Sequence, residues 1–391
     1  MTARPTFDAF AVTAPGLAPL ARGELVSLGI APTATEPAGL SFTTDAAGLA
    51  TAQLELRTVS RILVRLASFR ATAFHELERA ARPIDWATIL PAGAPFALRV
   101  TCRKSRLYHS DAVAERVAGA IVRAIPGASW QGATETSDEP EAPAVGADDP
   151  PQLFVVRFDR DRCTNSADAS GALLHRRGYR LAVGRAPLRE TLAAAMLLGV
   201  EHDPTRPVVD PMCGSGTIAI EAALRARRIA PGLRRRFAAE RWPQMEAAAW
   251  REARAAATAV MLASAPAPIV ASDRDAGAID AARANAERAG VAQDIDLRVA
   301  PLSALDPPRG PGLLIANPPY GVRVGETKPL RDLFARLGQV ARTRCAGWDL
   351  ALLSADRGLE AQVGLPFTER FATSNGGIPV RLVSTRIPSP G

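Results

Sequence analysis

Short apolar runs alternate with amphipathic stretches from residue 208 to the end of the chain, and this rhythm restricts the fold more than any other feature of the sequence. Strands are expected at Val208–Asp210, Ile269–Asp273, Leu297–Ala300 and Leu313–Ala316, runs too short for helices. Apolar residues at helical spacing mark helices at Thr217–Arg228, Asp275–Ala289 and Leu330–Arg342. The run Leu350–Ser354 and a terminal strand Ile378–Thr385 complete the set. Strands separated by helices pair in parallel, with helices covering both faces, so residues 171–391 are expected to form a doubly wound, Rossmann-like α/β domain. The segment Ala230–Pro268 is much longer than an ordinary connection and is expected to be a largely helical excursion carrying Trp242 and Trp250.

Residues 1–170 read as a separate α/β region. Its expected strands are Phe7–Val12, Leu40–Thr43, Ser60–Phe69, Phe96–Cys102, Leu153–Asp159 and Cys163–Ala167, and its helices Gly16–Leu28, Phe74–Arg82 and Asp111–Ile125. Arg99, Arg103, Lys104, Arg106, Arg116 and Arg123 crowd one part of it, with Tyr108 and His109 interleaved. Such a surface can track phosphates, although a solvated helix face reads the same way. Thr134–Gln152 is rich in Pro, Ala, Asp and Glu with almost nothing to bury, and is expected to be a flexible surface insertion. His175–Arg180 is expected to be a polar, basic connector between the two regions.

A formal net charge of +7 suits a polyanionic partner, but the positive charge is nearly all arginine, with Lys104 and Lys328 the only lysines, so charge alone is a weak guide. Cys102, Cys163, Cys213 and Cys345 are scattered, and His75, His109, His175 and His202 form no ligand-spaced pair with them, so neither a metal site nor a disulfide framework is expected. Met1–Phe10 lacks a basic segment followed by an apolar run, and no stretch is long enough to span a bilayer. A soluble, cytoplasmic protein with no membrane partner is expected.

The chemistry gathers at the ends of the expected strands. Asp210-Pro211-Met212-Cys213-Gly214-Ser215-Gly216-Thr217 lies where a strand stops and a helix starts. Glycines there permit positive φ and let a ligand lie against the main chain, while the helix N-terminus offers unpaired N–H groups and the Asp210 carboxylate can hold an ammonium. Asp273, ending the next strand in Ser272-Asp273-Arg274-Asp275, is placed to accept the two hydroxyls of a ribose, leaving Asp275 to cap the following helix. These signals specify a nucleotide-like cofactor and equally suit a nicotinamide or flavin enzyme.

Asn317-Pro318-Pro319-Tyr320-Gly321 decides the reaction. It follows the fourth strand, at the edge where open parallel sheets place their crevice, and its prolines hold the backbone rigid. An exocyclic base amine is a poor nucleophile because its lone pair is delocalised into the ring. The Asn317 side-chain oxygen and the Pro318 carbonyl can accept its two hydrogens, aim the lone pair at a methyl donor and favour the charge that develops on nitrogen. Tyr320 offers an aromatic face for an unstacked base. Asn317, Pro318, Pro319 and Tyr320 are therefore the candidate catalytic residues.

Taken together these residues resemble the THUMP-domain class I RNA methyltransferases, especially the half that makes N2-methylguanosine in large-subunit ribosomal RNA. The likeness is densest at Leu174–Ala194, Asp210–Ala223 and Asn317–Glu326, while Lys104–His109 and the helix after it look like the THUMP module, about residues 46–165, preceded by a ferredoxin-like domain. The resemblance implies S-adenosyl-L-methionine as cofactor. It places Asp210, Cys213, Gly214, Gly216 and Thr217 along its methionine and ribose end and Asp273 on the ribose, with Pro211, Ser215 and Arg274 alongside and Pro187–Thr191, through Thr191, closing over it. Where the family carries an acidic residue facing the adenine amino group, this chain has Pro301, with Asp306 nearby.

The resemblance implies RNA as partner, ribosomal RNA ahead of transfer RNA, and guanine N2 as acceptor. Guanine N2 in transfer RNA and adenine N6 follow the same chemistry, and a glutamine side chain is a more distant acceptor. A non-catalytic RNA-binding assembly protein and a nicotinamide-dependent oxidoreductase are the readings from other classes.

Overall fold

The computed structural model describes residues 5–133, 150–180, 188–320 and 327–389. Two sheets form in succession. The first is built from β1 (Phe7–Thr13), α1 (Ala18–Ser27), β2 (Pro32–Glu36), β3 (Gly39–Thr44), α2 (Ala46–Glu55) and β4 (Val59–Arg70), then α3 (Phe74–Ala81), β5 (Pro95–Arg103), α4 (Ser110–Ala124), β6 (Ser129–Ala133), β7 (Gln152–Asp159) and β8 (Arg162–Asp168). Its eight strands run in the order β2-β3-β1-β4-β8-β7-β5-β6. The 12-residue β4 fuses two smaller sheets: Val59–Val64 pairs with β1, and Leu63–Arg70 with β8.

The second sheet follows with α5 (Glu190–Gly199), β9 (Val208–Asp210), α6 (Thr217–Ala226), α7 (Ala247–Ala259), β10 (Ile269–Asp273), α8 (Ala276–Ala289) and β11 (Ile295–Val299). It ends with β12 (Leu313–Ala316), α9 (Thr327–Arg344), β13 (Asp349–Ser354), α10 (Arg357–Gln362), β14 (Thr368–Asn375) and β15 (Ile378–Arg386). The seven strands are ordered β11-β10-β9-β12-β13-β15-β14, with β9 to β13 parallel and β15 antiparallel to both its neighbours. This is the expected doubly wound fold. From β9 the chain winds one way through β10 and β11 and the other way through β12 and β13, so β9 and β12 flank the switch point, the place where open sheets of this kind bind ligands.

The excursion after α6 contains one long helix, α7, and a short helical turn at Ala238–Arg241. Its helical part packs on the N-terminal region, and Met261 and Ala265 return it to the core of its own sheet. Phe237, Ala239, Trp242, Met245, Ala249 and Trp250 are buried in the same core as Phe7, Leu54, Trp86 and Phe154 of the N-terminal region. Backbone bonds fasten the seam, from Gly232 N–H to Leu54 O at 2.9 Å and from Ala239 N–H to Ala169 O at 3.0 Å. The sheets thus divide near residue 170, but the packing runs across that point.

Two expectations about loops change. Gln152 opens β7 and is buried, donating to Asp168 O at 3.0 Å and accepting from Trp242 Nε1 at 2.7 Å, so its amide is consumed by the core rather than solvated; residues 134–149 of the expected insertion lie outside the described residues. The connector His175–Arg180 is largely buried as well. Its Arg177 pairs with the equally buried Glu221 on α6, which also accepts from the Tyr179 hydroxyl at 2.8 Å. The pairing of Arg177, Glu221 and Tyr179 in the interior offsets part of the cost of leaving water, while Arg177 Nε and His175 Nδ1 are buried without a hydrogen-bond partner. Among the described residues no helix is long and apolar enough to cross a membrane.

Candidate functional site

The end of β9 supplies the base of the crevice. In register, Asp210 sits beside Ala271 of β10, and Val209 beside Leu314 of β12, so the loops leaving β9, β10 and β12 emerge side by side. Neighbouring strands are about 4.8 Å apart, which brings residues distant in sequence to one ligand-sized space.

The loop after β9 is fixed from beneath. Cys213 N–H donates to Ser272 O at 3.0 Å, Gly216 N–H to Cys213 O at 2.8 Å, and the Asn285 side chain on α8 donates to Ser215 O at 3.0 Å. Gly214 and Gly216 both take left-handed conformations, with φ of 51° and 82°. They serve different ends. A Cβ on Gly216 would lie 2.9 Å from the Ala282 Cβ, so this glycine lets α6 approach α8, whereas a Cβ on Gly214 would meet nothing within 4 Å. Gly214 therefore faces open space at the N-terminus of α6, the cradle a cofactor needs. Pro211 and Thr217 are buried, while Ser215 is only partly so.

Asp210 is 1% exposed, and only one of its oxygens is satisfied: Oδ1 accepts from Met212 N–H at 3.2 Å while Oδ2 is buried without a partner. Burial first, and then the charge of Asp273, push its carboxyl up to about 8, against the pull of the Met212 bond. A buried carboxylate with one orphan oxygen fits a cationic ligand group, whose arrival would restore the ionised form. Burial also pushes the Cys213 thiol well up, so this cysteine is no nucleophile. Asp273 accepts from Gly214 N–H on Oδ2 and from Asp275 N–H on Oδ1, each at 3.0 Å. Its carboxylate is thereby oriented, and each oxygen keeps a lone pair for a hydroxyl. Asp275 caps α8 by accepting from Gly277 N–H at 2.8 Å, and Arg274 is exposed beside it.

Across the crevice, Asn317 follows β12. The Tyr320 hydroxyl donates to Asn317 Oδ1 at 2.6 Å and accepts from the Asn375 Nδ2 at 3.1 Å. Burial pushes the phenol up to about 12, so it stays a protonated donor. Pro318 is buried and Pro319 exposed. The Tyr320 ring packs partly against the core between the sheet and α5. Gly321 and the rest of the stretch to Glu326 lie outside the described residues.

Thr191 is buried in the first turn of α5, beside Glu190; Pro187, the start of the segment expected to close over the site, lies outside the described residues. Burial raises the Glu190 carboxyl to about 7 despite its pairing with Arg180 at 3.1 Å. Three residues that sequence reasoning passed over shape the site: Asn285, which braces the glycine loop, Glu221, which anchors the connector, and Asn375. Only Asn375 carried a readable signal, the Asn375-Gly376-Gly377 turn before the last strand. Pro301 begins a short turn after β11 and is exposed.

Family models match three successive parts of the chain: an RlmL ferredoxin-like domain over residues 8–63, a THUMP domain over 71–135 and an RMKL-like methyltransferase domain over 177–384. A Synechocystis protein provisionally named an RNA methyltransferase is 33% identical over 96% of this chain and 95% of its own. The ribosomal RNA large subunit methyltransferase K/L of Chromohalobacter salexigens is 36% identical over 94% of this chain, which spans 50% of that relative. Among solved structures, SMU.472, a provisionally assigned methyltransferase complexed with SAH, superposes with a TM-score of 0.86 at 28% identity over the whole of both chains. A Listeria monocytogenes protein described as a predicted N6-adenine-specific DNA methylase gives 0.84 at 32% identity over 98% of this chain and 97% of its own. The chain belongs to the RMKL-like methyltransferase family, with a ferredoxin-like domain and a THUMP domain preceding the methyltransferase domain.

Proposed function

We propose that this protein transfers a methyl group from S-adenosyl-L-methionine to the exocyclic N2 of a guanine in ribosomal RNA. The observation that carries the reading is the adjacency of the two loops: the orphan Asp210 carboxylate and open Gly214 cradle end β9 and its turn, and Asn317 follows β12, the strand paired directly with β9.

When bound, S-adenosyl-L-methionine supplies an electrophilic methyl group on a positive sulfur. The protein holds it with the α6 N-terminus, the Asp210 carboxylate on its ammonium and Asp273 on its ribose. Asn317 Oδ1 keeps one lone pair beyond the Tyr320 bond, and this with the Pro318 carbonyl accepts the two amine hydrogens. The nitrogen lone pair then points across the crevice, and the positive charge developing on nitrogen is met by two fixed dipoles. The SAH complex of SMU.472 supports the donor, and the ribosomal RNA methyltransferase names of the K/L relatives support ribosomal RNA as the substrate. The N-terminal region would dock the RNA, with Arg103 at the end of β5 and Lys104, Arg106 and the exposed Tyr108 on the loop after it, the Tyr108 ring tilted against His109 at 4.0 Å, presenting cation and aromatic faces together.

Adenine N6 is the second reading, favoured by the description of the Listeria neighbour as an N6-adenine-specific DNA methylase. Ribosomal and transfer RNA from a strain lacking the protein, each incubated with enzyme and labelled donor, separate the choices. Label in N2-methylguanosine of the ribosomal fraction is expected; label confined to transfer RNA, or to N6-methyladenosine, moves the assignment accordingly.

A further inference from the structure

We propose that Asn375, on the β14–β15 hairpin, is a positioning residue that acts through Tyr320 to set which end of the Asn317 amide faces the substrate amine; the inference rests on the methyl-transfer reading above. The hairpin is built to reach the site. Ser354, the last residue of β13, pairs with Arg381, so β15 continues back through Ile378 for about 10 Å beyond the end of β13. That overhang lies on the same edge as Asn317. The turn joining the strands is Gly376-Gly377, with φ of 55° and 82°, the two-residue geometry that keeps a hairpin tight and fixes its register. Phe371, Thr373 and Asn375 alternate inward along β14, and Asn375 is 7% exposed.

A polar side chain buried at a hairpin tip needs a partner, and Asn375 finds it in the Tyr320 hydroxyl at 3.1 Å. The direction of the bonds matters. A phenol has one proton; with the Asn375 amino group donating to its oxygen, that proton is left for Asn317, which must then present Oδ1. Were the residue at 375 able only to accept, the hydroxyl would donate to it, and Asn317 would turn its NH2 toward Tyr320 and toward the incoming amine. Two N–H groups would then face each other. With its NH2 turned to the phenol, Asn375 thus holds Asn317 in the productive one of its two amide orientations.

The test pairs Asn375→Asp, nearly isosteric but accepting only, with Asn375→Ala, each also made in a Tyr320→Phe background. The expected result is a fall in kcat of about tenfold or more for both single variants, the scale of one neutral hydrogen bond, with S-adenosylhomocysteine affinity within about twofold of wild type. In the Tyr320→Phe background the same changes should add less than about twofold, since the relay is already cut. An undiminished kcat, or an equal loss in both backgrounds, overturns the proposal. A readout independent of the acceptor is the side-chain amide resonance of Asn317 in protein carrying 15N-labelled asparagine. It should move with Asn375→Asp and with Tyr320→Phe whatever base is methylated, and a resonance unmoved by Asn375→Asp rejects the relay even if methyl transfer to guanine is confirmed.

Discussion

Trp242 donates its indole N–H to Gln152 Oε1 at 2.7 Å, joining an excursion of the methyltransferase sheet to the first residue of a strand in the other sheet. Both side chains are buried, and Trp242 lies 6.4 Å from Phe7, ring centre to ring centre. The excursion of the second sheet is consequently part of the first sheet's core, which ties the methyltransferase region to the N-terminal region. Trp242→Phe should cost about 1–3 kcal/mol, because it leaves a buried amide oxygen without its donor, and Trp242→Ala about 3–5 kcal/mol. Thermal unfolding of both should remain a single transition, with fluorescence and far-ultraviolet dichroism coincident. Separate melting of two regions would show that the seam is not cooperative.

Burial of Asp210 makes cofactor binding a proton-linked event. Its carboxyl, held up near 8 in the free protein, must ionise to accept an ammonium, so binding near neutrality releases a proton. S-adenosylhomocysteine affinity should therefore rise as pH increases, by up to about tenfold per unit from about pH 6 to about 7.5. Calorimetry in buffers of different ionisation enthalpy reads the proton directly. Asp210→Asn should bind more weakly and lose the slope; a slope that survives the substitution assigns it elsewhere.

The two glycines of the loop should fail differently. Gly216→Ala meets the Ala282 Cβ at 2.9 Å as well as an unfavourable φ of 82°, and should lower stability by more than the ~1–2 kcal/mol expected from left-handed backbone alone. Gly214→Ala places its methyl in open space and should cost only about that backbone penalty, yet weaken cofactor binding sharply because the methyl occupies the cradle. Melting temperature and S-adenosylhomocysteine titration of the same two proteins check both halves of the statement.

What could be read from the sequence is what is local. Gly214, Gly216, Asp273 and Asn317 stand at or just past the ends of β9, β10 and β12, and each announces itself by its immediate neighbours. What could not be read depends on partners far away in the chain. Arg177 looked like part of a solvated connector because Glu221, which neutralises it, is 44 residues on. Gln152 looked like the end of a polar insertion because its partner Trp242 is 90 residues on. Helices α2 and α5 escaped for another reason: they are buried on nearly every side, so their apolar residues show no period.

The buried cluster at the connector gives a further stability prediction. Arg177 and Glu221 are both almost fully buried, and removing one partner leaves the other charged and unsatisfied. Glu221→Ala should destabilise the protein by about 3–5 kcal/mol, whereas Tyr179→Phe, which removes one hydrogen bond to the same carboxylate and leaves its ion pair in place, should cost about 1.5–3 kcal/mol. Chemical denaturation of the pair measures both; equal and small losses would mean that water already reaches the cluster.

The most direct test of methyl transfer at the Asn317 loop is mass analysis of nucleosides from RNA treated with isotopically labelled methyl donor and either wild type or Asn317→Ala. Label on an exocyclic base amine, as N2-methylguanosine, is expected with wild type, and at least about a hundredfold less with Asn317→Ala while S-adenosylhomocysteine binding is retained. Label on a ribose oxygen or a ring carbon, or undiminished labelling by Asn317→Ala, would contradict the proposed transfer.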